Sequence, residues 1–76
     1  MKKWLDLFHL VECVDSGYVA ITDYEGDIPT TRIFTPDGEC FGGTRTSNEL
    51  TRAANIRLII NDRKRYDRHR IGDHQV

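Results

Sequence analysis

Residues 30–43 read TTRIFTPDGECFGG. Two β-prone runs flank Pro36-Asp37-Gly38, and each turn residue has a physical part. Pro36 presets φ for the second residue of a type I turn, Asp37 suits the third position, and Gly38 supplies the left-handed residue that closes the turn with a bulge. The expected register pairs Ile33 with Phe41 on one face and sets Phe34 beside Cys40 on the other. An antiparallel hairpin follows, Thr30 to Thr35 and Glu39 to Thr44, and the rest of the chain is read outward from it.

Toward the N-terminus, Glu25-Gly26-Asp27 marks a turn, and Pro29 delays the next ladder. Tyr18 to Tyr24 reads as a strand in which Val19 and Ile21 alternate with Tyr18, Ala20, Thr22 and Tyr24. Asp15-Ser16-Gly17 is a second turn, because Asp and Ser bond local backbone and Gly permits positive φ. Leu10 to Val14 reads as the preceding strand, with Leu10, Glu12 and Val14 facing one way and Val11 and Cys13 the other. Residues 2–9, KKWLDLFH, place Trp4, Leu5 and Phe8 on one helical face, and a short N-terminal helix is expected there.

Toward the C-terminus, Gly42-Gly43 is expected to break the strand. Thr46 and Glu49 have the spacing of a capping box. Leu50, Ala53 and Ala54 form the inner stripe of a helical turn that ends near Asn55. Continued as a helix, the chain would set Arg57 and Asn61 within the apolar face, whereas a strand lines Ile56, Leu58 and Ile60 along one side. Ile56 to Asn61 is therefore expected to be the last strand. The fold class is mainly β within α+β: a small five-stranded antiparallel sheet or barrel with a short N-terminal helix and a helical turn before the last strand. The element order resembles that of small SH3-like and Sm-like barrels, in layout alone.

With 76 residues, the chain is long enough for one domain, which buries only about 60% of its unfolded surface. Residues 1–62 are expected to form that β-rich domain and 63–76 a basic, flexible tail. Hydrophobic residues at 38% and charged residues at 30% fit a globular protein better than a disordered one. No apolar run approaches the roughly 20 residues of a membrane span. Asp6, His9 and Glu12 interrupt the apolar segment after Lys2 and Lys3, which argues against a signal peptide. The cytoplasm is the expected compartment, with Cys13 and Cys40 as reduced thiols.

The net charge of −1 hides an asymmetry. Residues 1–44 hold three basic and eight acidic residues, a balance of −5, and residues 45–76 hold eight basic and four acidic residues, a balance of +4. The densest basic run contains Arg63, Lys64, Arg65, Tyr66, Arg68 and Arg70. Its cations could neutralise phosphates and Tyr66 could stack on a base, or the run could serve as a solvated tail. Asp15, Asp23, Glu25 and Asp27 gather at strand ends, with Asp37 and Glu39 at the hairpin tip. An acidic rim can engage a basic protein surface, although turns and sheet edges also favour such residues for structural reasons. Tyr18 and Tyr24 share the polar face of their strand in this register and are candidate contact residues.

Other chemistries find less support. His9, Cys13, Cys40, His69 and His74 lack the spacing of a zinc site. Gly42-Gly43-Thr44 lacks the lysine of a phosphate loop. Ser16 and Ser47 have no histidine placed to activate them. No cofactor and no enzymatic activity are expected. Two readings follow. The first is a small protein-binding regulator or inhibitor that acts through an acidic sheet surface comprising Tyr18, Asp23, Tyr24, Glu25 and Asp27. The alternative is a nucleic-acid binder that uses Arg63, Lys64, Arg65, Tyr66, Arg68 and Arg70.

Overall fold

The computed structural model describes the backbone of residues 2–5 and 8–74 and the side chains of residues 8–68. It is a two-layer α+β fold in which one long helix lies across one face of an antiparallel meander. Strand β1 covers Lys2–Leu5, β2 His9–Asp15, β3 Tyr18–Asp23, β4 Thr30–Phe34 and β5 Cys40–Arg45, and helix α1 covers Glu49–His74. β2 to β5 form the body of the sheet, and β1 lies along its outer side in the order β1-β2-β3-β4-β5. No pairing among the described residues joins β5 to β1, so of the two expected forms, sheet or barrel, the strands follow the open sheet.

The turns carry much of this. Ser16 and Gly17 both have positive φ, 52° and 88°, the two-residue geometry whose twist matches the flanking strands. Gly38 is also left-handed at φ 89°. The Thr35 amide donates to the Glu39 carbonyl at 2.8 Å, and the Gly38 amide donates to the Thr35 carbonyl at 2.9 Å. Phe34 pairs with Cys40 as expected, but Ile33 pairs with Gly42 and not with Phe41. A bulge between Ile33 and Phe34 shifts the register, leaving Phe41 as the extra residue.

Four expectations are corrected. The first is residues 2–9: Lys2–Leu5 is a strand with Trp4 opposite Val11, and His9 already belongs to β2. Residues 6 and 7 of the expected helix lie outside the described residues. A helix this short is marginal without tertiary support, whereas the edge of β2 satisfies backbone groups directly. Second, Gly42-Gly43 does not end the strand, which runs to Arg45. A Cβ on Gly42 would stand 2.9 Å from Ile59 Cγ2, and one on Gly43 would stand 2.5 Å from the Thr31 carbonyl oxygen. These glycines let α1 close on the sheet and β5 approach β4.

Third, residues 56–61 belong to α1 and not to a strand. Asn48 caps the helix: its Oδ1 accepts from the Thr51 amide and its carbonyl from the Arg52 amide, both at 2.9 Å. The expected box of Thr46 and Glu49 is replaced by this single side chain, and Thr46 Oγ1 accepts from the Asn48 amide at 3.1 Å. The helix faces the sheet with Arg52, Ile56, Ile60 and Arg63, while Arg57 and Leu58 are exposed. The composition boundary at 62/63 thus falls inside α1.

The fourth correction concerns β3. Tyr18, Ala20 and Thr22 are buried, whereas Val19 and Ile21 lie half-buried on the face without a helix. Ala20 is fully buried with Ile33, and Ile56 and Ile60 come down from α1 onto them. Val14, Phe41 and Ile59 close the margins of this core. Thr22 and Thr31 share a buried hydroxyl–hydroxyl hydrogen bond of 2.8 Å, so these two buried hydroxyls satisfy each other across β3 and β4.

Candidate functional site

Helix α1 starts where the β3–β4 loop turns. The Thr46 amide donates to the Pro29 carbonyl at 3.1 Å, holding the β5–α1 connection against that loop. From there α1 runs toward the β2–β3 and β4–β5 turns. Its 26 residues span about 39 Å at the usual rise, roughly twice the length of the strands. The molecule accordingly measures 48 × 19 × 18 Å. The two ends of the sheet thereby acquire different electrostatics.

At the end with the tight turns, the basic run meets the acids. Lys64 Nζ donates to Asp15 Oδ2 and sits 5.8 Å from the Tyr18 ring centre. Arg63 lies between Glu39 and Asp67, at 3.5 and 3.3 Å, and stacks over Phe41 at 5.3 Å. The Lys64 ammonium, helped by the Ser16 hydroxyl, holds the Asp15 carboxyl below the usual carboxylate range. Arg65 reaches Asp62 at 3.9 Å. Tyr66 and Arg68 are exposed, and the side chain of Arg70 lies outside the described residues. The cations expected to form one basic surface are thus divided between internal pairs and solvent.

The two tyrosines are not a shared exposed face. Tyr18 is 7% exposed and meets Phe41 edge-on, with ring centres 5.8 Å apart. Tyr24 is half-buried, and its hydroxyl accepts from Arg52. Arg52 also lies 4.0 Å from Glu12 across the helix–sheet interface, with both side chains about nine-tenths buried. Sequence reasoning missed this buried pair because Arg52 was placed outside the apolar stripe.

At the loop end, Asp23 organises the turn by accepting from the Glu25 amide at 2.8 Å. His9 Nε2 lies 3.9 Å from Asp23 Oδ2. Glu25 and Asp27 are exposed, and neither has an ion-pair partner among the described residues. Phe8 and Ile28 add apolar surface at the same end, 47% and 40% exposed. The Phe8 carbonyl accepts from the Tyr24 amide at 2.7 Å, which brings the β1–β2 connection beside the β3–β4 loop. Neither apolar residue was expected to be a contact residue. Ile28 had a legible signal, being an aliphatic residue in a polar loop just before Pro29. Phe8 had none, because its surroundings depend on how β1 returns to β2.

The thiols are remote from one another. Cys13 lies on β2 and Cys40 on β5, with β3 and β4 between them. That separation is about 14 Å at normal strand spacing, twice the reach of a disulfide, and both cysteines are free. Among the described residues no group of three metal-ligating side chains converges, and no helix is long and apolar enough to cross a membrane. The chain matches no protein-family model, no curated protein and no solved structure.

Proposed function

We propose that this protein is a small binding regulator or inhibitor whose contact site is the loop end of the sheet, built on Asp23, Glu25 and Asp27 with Phe8 and Ile28 beside them. One observation carries the reading. Glu25 and Asp27 are exposed without ionic partners among the described residues, and they adjoin two exposed apolar side chains. Charge with adjacent apolar area is the composition of a protein contact, in which acids steer a basic partner and apolar groups hold it. Tyr24 borders this site with its hydroxyl engaged by Arg52, whereas Tyr18 is buried at the opposite end of the sheet and is not part of it. The partner is a protein surface rich in Lys or Arg around an apolar centre, and the cytoplasm is the proposed compartment.

The nucleic-acid alternative is weaker, because Arg63 and Lys64 are engaged with Glu39, Asp67 and Asp15. Affinity capture with the full chain, with and without nuclease, separates the two. The expected partner is a protein that persists after nuclease treatment and is lost from the Glu25→Lys/Asp27→Lys double variant. Capture that vanishes with nuclease and survives in that variant overturns the proposal.

A further inference from the structure

We propose that the protein held at the loop end also places an acidic side chain, an Asp or a Glu, on Arg32 and Arg45. The contact then continues from the loop onto the sheet face opposite the helix. The inference rests on the protein contact proposed above and adds to it a second patch of opposite sign. Register fixes which residues share that face. His9, Asp23, Thr30 and Arg45 stand side by side across β2 to β5, nearest the loop. Val11, Ile21, Arg32 and Gly43 make the next row. Helix α1 lies against the other side, through Ile59 at Gly42 and Asn55 at Thr44.

The solvated side of an antiparallel sheet is normally polar, and this one departs from that in two ways. Its middle is apolar: Val11, Val19, Ile21 and Phe34 are half-buried there, and no described helix or strand packs over them. Its cations are also unpaired. Arg52, Arg63, Lys64 and Arg65 each have a carboxylate within 4.0 Å. Arg32 and Arg45 are exposed and have no ion-pair partner among the described residues. They are diagonal neighbours on β4 and β5, about 7–8 Å apart, a spacing that long side chains bridge. Gly43, beside both, carries no side chain, and a Cβ there would stand 2.5 Å from the Thr31 carbonyl oxygen. On the other side of Arg32 a 210 Å³ cleft is bordered by His9, Ile21, Asp23 and Thr30.

The charges around the two arginines select a protein as the occupant. Glu25 and Asp27 are exposed on the loop that leaves this face. Asp23 shares a row with Arg45, two strand spacings or about 10 Å away. A nucleic acid or an anionic membrane presents charge of one sign. Its phosphates would meet these three carboxylates on the way to the arginines and be repelled. A protein segment carries both signs. Its Lys or Arg suits the loop, an apolar side chain suits Ile21, and an Asp or Glu suits the arginines. Arginine at both positions fits that last group, since a guanidinium fork donates two parallel N–H bonds to a carboxylate.

The test is selection of a displayed library of random linear peptides on the full chain, read as the charge composition of the enriched sequences. The wild-type chain should enrich peptides that combine Lys or Arg, an apolar residue, and Asp or Glu. Arg32→Gln/Arg45→Gln should lose the enrichment of Asp and Glu and keep that of Lys and Arg. It should bind the best wild-type peptide more than about tenfold more weakly, with an unchanged circular dichroism spectrum. Arg57→Gln removes an exposed arginine from α1 and should change neither enrichment. The inference is overturned if the wild-type chain enriches no Asp or Glu, if Arg32→Gln/Arg45→Gln retains that enrichment, or if Arg57→Gln loses it equally. A Glu25→Lys/Asp27→Lys chain that still enriches Lys and Arg overturns the loop-end reading instead. Binding of a single-stranded oligonucleotide or of phosphatidylserine vesicles that depends on Arg32 and Arg45 would also overturn the inference. So would a two-copy mass in sedimentation that Arg32→Gln/Arg45→Gln reduces to one, by assigning the face to a different occupant.

Discussion

At the turn end of the sheet Asp15 and Glu39 meet Lys64 and Arg63, while at the loop end Glu25 and Asp27 meet solvent beside Phe8 and Ile28. Both ends are acidic in sequence, and the helix makes the difference. It begins at the loop end and grows more basic as it crosses to the turn end. The acidic front and basic back of the chain therefore do not become opposite faces of the molecule. The basic run neutralises one set of acids, and the set it does not reach, Glu25 and Asp27, is left exposed. Composition in sequence blocks says little about a surface until the path of the chain is known.

The helix is fixed differently at its two ends, and the largest expected effect follows from this. Near the loop end it is held by Arg52, which lies nine-tenths buried against Glu12 and donates to Tyr24. Removing Arg52 takes a cation away from the buried Glu12 carboxylate and from the Tyr24 hydroxyl, and breaking a buried pair from one side is destabilising. Arg52→Ala is expected to cost about 3 kcal/mol, read as a lower midpoint in urea. Arg52→Met combined with Glu12→Leu should recover most of that loss, since apolar replacements of similar volume often match a buried pair. Equal destabilisation by both sets of changes would mean that this end is held by packing alone.

The turn end uses half-exposed pairs, and a smaller effect is expected there. Arg63 gives up stacking on Phe41 as well as its contacts with Glu39 and Asp67, and Lys64 gives up Asp15. Arg63→Glu with Lys64→Glu is expected to cost about 1–2 kcal/mol, much of it from lost packing and new repulsion, because exposed pairs contribute little. Glu25→Lys with Asp27→Lys should shift stability by less than about 0.5 kcal/mol. It should nevertheless lower affinity for the captured protein by about tenfold or more. If the first double variant abolished binding and the second did not, the functional assignment of the two ends would be reversed.

Local chemistry made the hairpin legible, since Pro36-Asp37-Gly38 needs no knowledge of the rest of the chain. The Phe34–Cys40 pairing followed from it, and the extra residue at Phe41 did not, because the turn residues fix the pairing only next to the turn. Helix α1 was hidden by its own exceptions. Arg52 is inside its buried face, while Leu50 and Leu58 are exposed at 83% and 61%. That mixture gives no clean helical period and allows Ile56, Leu58 and Ile60 to imitate a strand. The same omission inverted β3. Without a helix above them, Tyr18 and Tyr24 looked like the polar side of the strand. Of the candidate contact residues, Asp23, Glu25 and Asp27 were legible as a loop. The tyrosines were not, since their burial is set by Lys64, Phe41 and Arg52.

The smallest effect is a pH dependence confined to the turn end. Asp15 is exposed, and its carboxyl is held below the ordinary range first by the Lys64 hydrogen bond and then by the Ser16 hydroxyl. A carboxyl with a lowered folded-state pKa binds its proton more weakly in the folded chain than in the unfolded one. Its contribution is therefore complete above the unfolded value, about 3.9, and is lost as pH falls through the lower folded value. Exposure and salt keep the contribution small. Lys64→Gln removes the ammonium that sets the direction. Stability measured from pH 6 to about pH 2 should therefore fall slightly less steeply in that variant than in the wild-type chain, and the gap should narrow as salt is raised. Raising the salt should have little effect on how Glu25→Lys/Asp27→Lys changes stability, because those acids have no ionic partner among the described residues to screen. A salt-independent difference at Lys64 would show that the helix is held at this end by the apolar stem of the lysine over Tyr18 and not by its charge.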